Sequence, residues 1–166
     1  RIYRAKNNHS EAVKTLAKIL ENQKKEDKNG VAIDINIDPS IINFYLGHSY
    51  FEIGEFDKAI FYFRDSIQLN SKDTMKAKTF IVHSFLNLEK PDDAFNEIQS
   101  MTGQGIQNET IAHLFYITGN EWARKKSYEK ARKAYCKSLE LNHSQETEKI
   151  ISLVDKYIEL GKRLYT

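Results

Sequence analysis

Residues 39–69 read PSIINFYLGHSYFEIGEFDKAIFYFRDSIQL, and this stretch decides the fold. It contains two runs with apolar residues at helical spacing, and Gly54 separates them. The first run follows Asp38 and Pro39, a pair that is typical of a helix start, and the second begins at Phe56. Glycine favours a helix end because it tolerates left-handed backbone geometry. The stretch therefore predicts two helices, and their short connection makes them antiparallel neighbours.

An aromatic residue followed nine positions later by alanine marks the same plan along the rest of the chain. The pattern occurs four times, at Tyr3/Ala12, Tyr50/Ala59, Phe85/Ala94 and Trp122/Ala131. Successive aromatic residues of these pairs are 47, 35 and 37 positions apart. A period near 35 indicates a stack of similar units, and the longer first interval indicates one unit plus an insertion.

Periodicity and turn residues predict the individual helices. They cover residues 10–22, 41–53, 56–69, 74–88, 92–101, 110–125, 128–141 and 144–160, with Ser10 as an N-cap of the first and Gly161 ending the last. Residues 31–37 alternate apolar and polar side chains, which is a strand-like pattern. Because no partner strand is evident, we expect an extended segment lying against the helices.

The units resemble tetratricopeptide repeats (TPRs), whose pattern is aromatic-x2-Leu-Gly-x2-Tyr, then Ala-x3-Phe, then Pro, over about 34 residues. The best match is Leu46-Gly47-x2-Tyr50, Gly54, Phe56, Ala59-x3-Phe63, Leu69. The second match is Gly119-x2-Trp122, Tyr128, Ala131-x3-Tyr135, Leu141. The unit between them departs from the pattern, because Val82 replaces the glycine and Pro91 replaces an aromatic residue.

The resemblance implies an all-α fold: a right-handed superhelical stack of antiparallel helix hairpins, or TPR-like α-solenoid. Gly47 and Ala59 are then small because two backbones cross there. The chain is expected to be a single array over residues 1–166. It divides into a partial repeat (1–22), an insertion or linker (23–39), three repeats (40–71, 74–102 and 110–143) and a terminal helix or partial repeat (144–166). Arg1 in place of methionine leads us to expect a piece of a larger protein.

A binding groove is also implied, since the first helices of TPR hairpins line a concave surface that holds peptides. The residues expected there include exposed aromatic side chains and suit a peptide with some apolar side chains and a hydrogen-bonded backbone. They are Phe44, His48, Phe51, Lys76, His83, Asn87, His113, Tyr116, Asn120 and Arg124. The clamp with which some TPRs grip chaperone tails is not matched, because Phe44 and His48 stand where it needs lysine and asparagine.

The sequence therefore predicts a protein–protein interaction scaffold that binds a peptide or helical segment. The alternative is a regulatory or sensor TPR module that controls an enzymatic or DNA-binding domain attached to it. A second alternative concerns the groove alone: the last helix or the 31–37 segment folds into it and covers these residues. Exposed ends of the array also suggest that copies of the chain stack as a homo-oligomer.

Other functional classes find little support in the sequence. Its formal net charge of +2 does not indicate nucleic acid, and the lysine-rich residues 124–137 are interpreted as a solvated helical face. No apolar run approaches the ~20 residues of a membrane span. Its single cysteine, Cys136, excludes an internal disulfide and favours a reducing, cytoplasmic setting.

Catalysis, cofactors and metals are not predicted. The chain lacks a nucleophile elbow, a phosphate-binding loop and a Gly-rich cradle. His48, His83 and His113 have no cysteine or carboxylate cluster to complete a zinc site. A groove sensitive to pH suits these histidines better, because imidazole titrates near neutrality.

Overall fold

A computed structural model describes residues 2–24, 37–69, 71–103 and 107–164. Within these ranges the chain forms eight α-helices and no strand, so the predicted all-α class is confirmed. The helices are α1 (Ile2–Lys24), α2 (Pro39–Ile53), α3 (Phe56–Gln68), α4 (Thr74–Asn87), α5 (Pro91–Met101), α6 (Asn108–Arg124), α7 (Tyr128–Leu141) and α8 (Gln145–Leu164). The predicted extended segment at 31–37 lies, except for its last residue, outside the described residues.

Helices α2 to α7 begin and end within two residues of their predicted bounds, whereas α1 and α8 are longer than predicted. Helix α1 runs through Ser10, because residues 2–24 contain no glycine or proline to end a helix. The predicted end of α8 at Gly161 is also wrong, since the helix continues to Leu164. Gly161 does not adopt a left-handed conformation, and one glycine weakens a helix by only about 1 kcal/mol relative to alanine.

The ends of α2 show how the local sequence sets the hairpin. The backbone N–H of Ser40 donates to Asp38 Oδ1 over 2.8 Å, which confirms Asp38 as the N-cap. At the other end Gly54 has φ of 91°, a left-handed value that glycine adopts without strain. The N–H of Glu55 then donates to the carbonyl of Tyr50 over 2.9 Å and closes the turn into α3.

Packing divides the chain into two compact units, Arg1–Ser84 and Phe85–Thr166. In the first unit α2 packs between α1 and α3. Its core contains side chains that are at most 1% exposed, among them Ile42, Leu46, Ala59, Phe63 and Ile81. In the second unit α6 packs against α5 and α7, and α7 packs against α8. Its most deeply buried side chains include Ile98, Ile111, Leu114, Phe115 and Ala131.

In each unit a glycine on the first helix of a hairpin faces an aromatic ring of the second helix. A Cβ atom at Gly47 would lie 2.8 Å from Cδ1 of Phe63, and one at Gly119 would lie 2.7 Å from Cε1 of Tyr135. Both distances are too short for a real side chain. Gly47 and Gly119 are therefore small because a side chain there would meet an aromatic ring of the second helix.

Candidate partner-binding surfaces

Phe44 was expected to be exposed in the groove, and this prediction is wrong. Its side chain is only 8% exposed and belongs to the core of the first unit. The Phe44 ring meets the ring of Phe63 at a centroid distance of 5.7 Å and that of Phe80 at 6.3 Å, both edge-on. Such edge-to-face contacts stabilise aromatic clusters. Phe44 is therefore a packing residue.

Phe44 is buried because Phe80, on α4, packs against the same aromatic cluster. The Phe80 ring stacks on Phe63 at 5.2 Å and stands edge-on to His48 at 5.2 Å and to Phe51 at 5.2 Å. Phe51 also contacts Phe56 and is half-buried. Two further predicted groove residues thus contact Phe80, which sequence reasoning missed. The available signal was its position four residues after Lys76 and three before His83, beside predicted groove residues on one side of the helix.

The exposed face of α2 is rotated around the helix from the predicted one. It consists of residues at positions i, i+4, i+7 and i+11, which share one side of a helix. We call this set the α2 row: Ile41, Tyr45, His48 and Glu52. Ile41 is 43% exposed and Tyr45 is 55% exposed. Tyr45 and Glu52 were missed because the prediction chose Phe44 and Phe51, three residues after Ile41 and His48. A step of four residues gives Tyr45 and Glu52.

Polar groups accompany the α2 row. Nε2 of His48 lies 3.9 Å from Oε1 of Glu52, and the ring of His9 on α1 lies 6.0 Å from that of His48. Lys76, a predicted groove residue, is exposed and donates to Asp73 over 2.7 Å. The hydrogen bond and the charge of Asp73 raise the pKa of Lys76, with a smaller electrostatic contribution from Tyr45. His83, further along α4, is half-buried.

The second unit carries a different row on α6. His113, Asn120 and Arg124 are exposed there, and Tyr116 is half-buried. The hydroxyl of Tyr135 donates to Oδ1 of Asn120 over 2.8 Å, and the rings of Tyr135 and Tyr116 are 5.8 Å apart. Burial, with a smaller contribution from Tyr116, raises the pKa of Tyr135 to about 12. The predicted residues Tyr116 and Asn120 are thus brought together by a tyrosine that was interpreted only as core.

We call His113, Tyr116, Asn120 and Arg124 the α6 row. Ion pairs surround its last residue, Arg124. Arg124 contacts Glu121 at 2.9 Å and Glu89 at 3.5 Å, and Lys125 contacts Glu89 at 3.4 Å. Lys125 and Arg124 together lower the pKa of Glu89. Asn87, also predicted, is exposed in the same unit. Further along the lysine-rich segment, acidic partners meet Lys130, Arg132 and Lys137, so its positive charge is partly neutralised.

Neither a metal cluster nor a membrane-spanning helix is present in the described part of the chain. In the described ranges, no three histidine, cysteine, aspartate or glutamate side chains come together as metal ligands. None of the helices described above has both the length and the apolar character that a bilayer span requires.

Comparison with known proteins identifies the hairpin that carries the α2 row. A family model described as "Tetratricopeptide repeat" matches residues 41–73. These residues form a TPR. The resemblance inferred from the sequence is thereby confirmed, and a TPR is in general a protein–protein interaction module. No curated protein matches the chain.

A solved structure supports the same fold. The chain is similar to the protein in "Crystal structure of BtubC (BKLC) from P. vanneervenii", with a TM-score of 0.55 and 14% sequence identity. The match covers 96% of this chain and 85% of that chain. At this identity the likeness concerns the fold alone, and it agrees with a TPR-like, all-α architecture. The TPR itself contributes α2 and α3, and the α2 row lies on its first helix.

Proposed function

We propose that the chain is a protein–protein interaction scaffold whose TPR binds a peptide or helical segment of a partner along the α2 row. One observation carries the proposal: Ile41 and Tyr45 are about half exposed, one turn apart, on the first helix of the repeat. Large apolar side chains that stay accessible beside polar groups mark contact surfaces. The residues of this row, rather than Phe44 and Phe51, are the ones a partner can reach.

The chemistry of the α2 row suits a mixed ligand. Tyr45 offers a ring for an apolar side chain and a hydroxyl for a hydrogen bond, which makes tyrosine effective at interfaces. Glu52 accepts hydrogen bonds from the backbone N–H groups of an extended peptide. Lys76, exposed on α4 of the same unit, supplies a positive charge that Asp73 partly neutralises. A partner segment with one apolar side chain next to an acidic one would satisfy all three.

The α6 row of the second unit is proposed as a further contact surface of the same scaffold. Its Asn120 amide is held by Tyr135, so a hydrogen-bonding group is oriented before any partner arrives. Preorganisation of this kind reduces the ordering free energy that binding must overcome.

A peptide selected from a randomised phage-displayed library against the intact chain tests the proposal at the α2 row. The selected peptide is synthesised, and its Kd is measured by isothermal titration calorimetry. Tyr45→Ala should raise the Kd by roughly tenfold or more, which corresponds to about 1.4 kcal/mol or more for an interface anchor.

Phe61→Ala is the matched control, on the second helix of the same hairpin. Phe61 is 57% exposed and meets Tyr62 edge-on at 5.2 Å, much as Tyr45 meets Phe44 at 5.7 Å. The control should leave the Kd within about twofold, since it lies on the other helix. If the peptide lost affinity with Phe61→Ala and kept it with Tyr45→Ala, it would bind α3, and the proposal would be wrong.

A further inference from the structure

The last helix, α8, leaves an apolar stripe uncovered. Leu153, Tyr157 and Leu160 are each about half exposed, at 51%, 46% and 54%. Their spacing of four and then three residues places them on one side of the helix. Tyr157 is held in position because its ring stacks on Tyr128 at 5.1 Å with an interplanar angle of 12°. The stripe is therefore an ordered part of the second unit.

The stripe follows the spacing of a coiled-coil seam. If Leu153 is assigned to position d of a heptad, Tyr157 falls at a and Leu160 at the next d. Lys149, Lys156 and Arg163 recur every seven residues and occupy the g positions, directly along one edge of the stripe. The opposite edge is closed over its first two turns, because Thr147 and Val154 at the e positions are buried. An incoming helix thus meets apolar side chains bordered by a row of positive charge.

The part of the chain that the structure describes does not neutralise this row. Three of the acidic residues of α8 are engaged elsewhere: Glu148 with His143 at 3.0 Å, Asp155 with Arg132 at 2.6 Å and Glu159 with Lys162 at 3.3 Å. Among the described residues, no acidic side chain forms an ion pair with Lys149, Lys156 or Arg163. All three cations are exposed. The edge of the stripe therefore attracts an acidic partner.

We propose that this face of α8 docks an amphipathic helix of a partner protein, with leucine-like side chains on the stripe and acidic side chains against Lys149, Lys156 and Arg163. Charges at the edges of a two-helix seam determine which partner pairs. A second copy of α8 is a poor occupant, because an antiparallel copy would place its own cations against this row. A parallel copy would offer buried e positions instead. The face shares no residue with the α2 row and is independent of the function proposed for it.

Two synthetic helical peptides test the assignment on the intact chain. Both carry leucine at the a and d positions; one has glutamate at every e and g position, the other lysine, so that self-repulsion keeps each peptide from pairing with itself. Fluorescence anisotropy should show the acidic peptide binding at least roughly tenfold more tightly than the basic one, as several weak edge pairs combine. Binding should weaken with salt.

Two variants on α8 test separately how the apolar stripe and its positively charged edge contribute to peptide binding. Leu153→Asp changes a half-exposed side chain and should abolish binding of the acidic peptide while the circular dichroism spectrum is retained. The triple variant Lys149→Glu, Lys156→Glu and Arg163→Glu should reverse the preference, so that the lysine peptide binds more tightly. Reversal by charge exchange is an effect that general destabilisation would not produce.

The matched control makes the same change in net charge on exposed residues of other segments: Lys14→Glu, Lys18→Glu and Lys72→Glu. It should keep the preference for the acidic peptide. Equal reversal by this control would show that net charge alone decides, and the proposal would fail. A chain that sediments as a dimer and becomes monomeric with Leu153→Asp would assign the face to a second copy and would likewise overturn it.

Discussion

The hairpins α2–α3 and α6–α7 share one contact, in which a glycine of the first helix faces an aromatic ring of the second. The two rings differ by one hydroxyl. Each places a glycine against an aromatic residue of the second helix: Gly47 against Phe63, and Gly119 against Tyr135. Phe63 is fully buried and stacks on Phe80. Tyr135 instead reaches the surface of α6 through its hydrogen bond to Asn120.

The two rings therefore have different neighbours: Phe80 stacks on Phe63, whereas Asn120 accepts a hydrogen bond from Tyr135. Around Phe63 the predicted groove residue Phe44 is buried in an aromatic cluster with Phe80, and the accessible aromatic ring of the α2 row is that of Tyr45. Around Tyr135 the predicted polar residue stays accessible and is oriented. The same contact between a glycine and a ring thus accompanies a mixed apolar and polar surface on α2 and a more polar one on α6.

The largest expected effect comes from removing the ring at the centre of the aromatic cluster. Phe63→Ala leaves Phe44, Phe80 and Gly47 without their common neighbour, and should lower the free energy of unfolding by about 3–5 kcal/mol. Urea denaturation followed by circular dichroism measures the change. The exposed ring of Phe61 is the comparison, and a loss for Phe63→Ala as small as that for Phe61→Ala would show that the cluster does not stabilise the unit.

An intermediate effect is expected at the two glycines. Gly47→Ala and Gly119→Ala each push a Cβ atom into a ring, and overpacking of this kind costs about 1–3 kcal/mol. The two losses should be similar if the shared contact is the same in both hairpins. Urea denaturation of both variants makes that comparison.

Gly161→Ala is the control for both, because a Cβ there meets nothing within 4 Å. Alanine is the better helix former, so this variant should gain up to about 1 kcal/mol. If the substitutions at the crossings were also stabilising, the close approach would not be a constraint.

The smallest effect concerns the hydroxyl that distinguishes the hairpins. Tyr135→Phe removes one hydrogen bond and should lower stability at neutral pH by about 0.5–1.5 kcal/mol. The pKa of Tyr135 is raised to about 12 in the folded chain. An unfolded tyrosine titrates near about 10, so between these values the unfolded state binds fewer protons and stability falls as the pH rises.

The Tyr135→Phe variant should therefore lose less stability than the parent chain between about pH 10 and about pH 12. Urea midpoints of the two proteins, compared at neutral pH and at the two ends of that window, give the difference. Tyr62, whose pKa burial also raises, is present in both proteins and cancels. Parallel midpoint curves would show that Tyr135 does not retain its proton in the folded state.

Much of the hairpin could be predicted because its signals are local. Asp38 and Gly54 act within one turn of their own positions, so α2 begins and ends where they indicated. Gly161 shows the limit of such signals, since glycine permits a helix end and does not impose one. The burial of Phe44 could not be predicted locally, because it depends on Phe80 from another helix.

The sequence by itself determined the all-α fold, the extents of α2 to α7 and the TPR-like repeat predicted at residues 40–71, which the family match at residues 41–73 confirms. These features follow from periodicity, caps and the recurring glycine and alanine, which act over one or two turns. Only the tertiary structure decided which side chains remain accessible. Phe80 covers Phe44, Tyr135 orients Asn120, and α7 closes one side of α8 while the other stays open. The exposure of a side chain depends on residues that the fold brings next to it from distant positions in the sequence. The pattern along one helix carries no information about those residues.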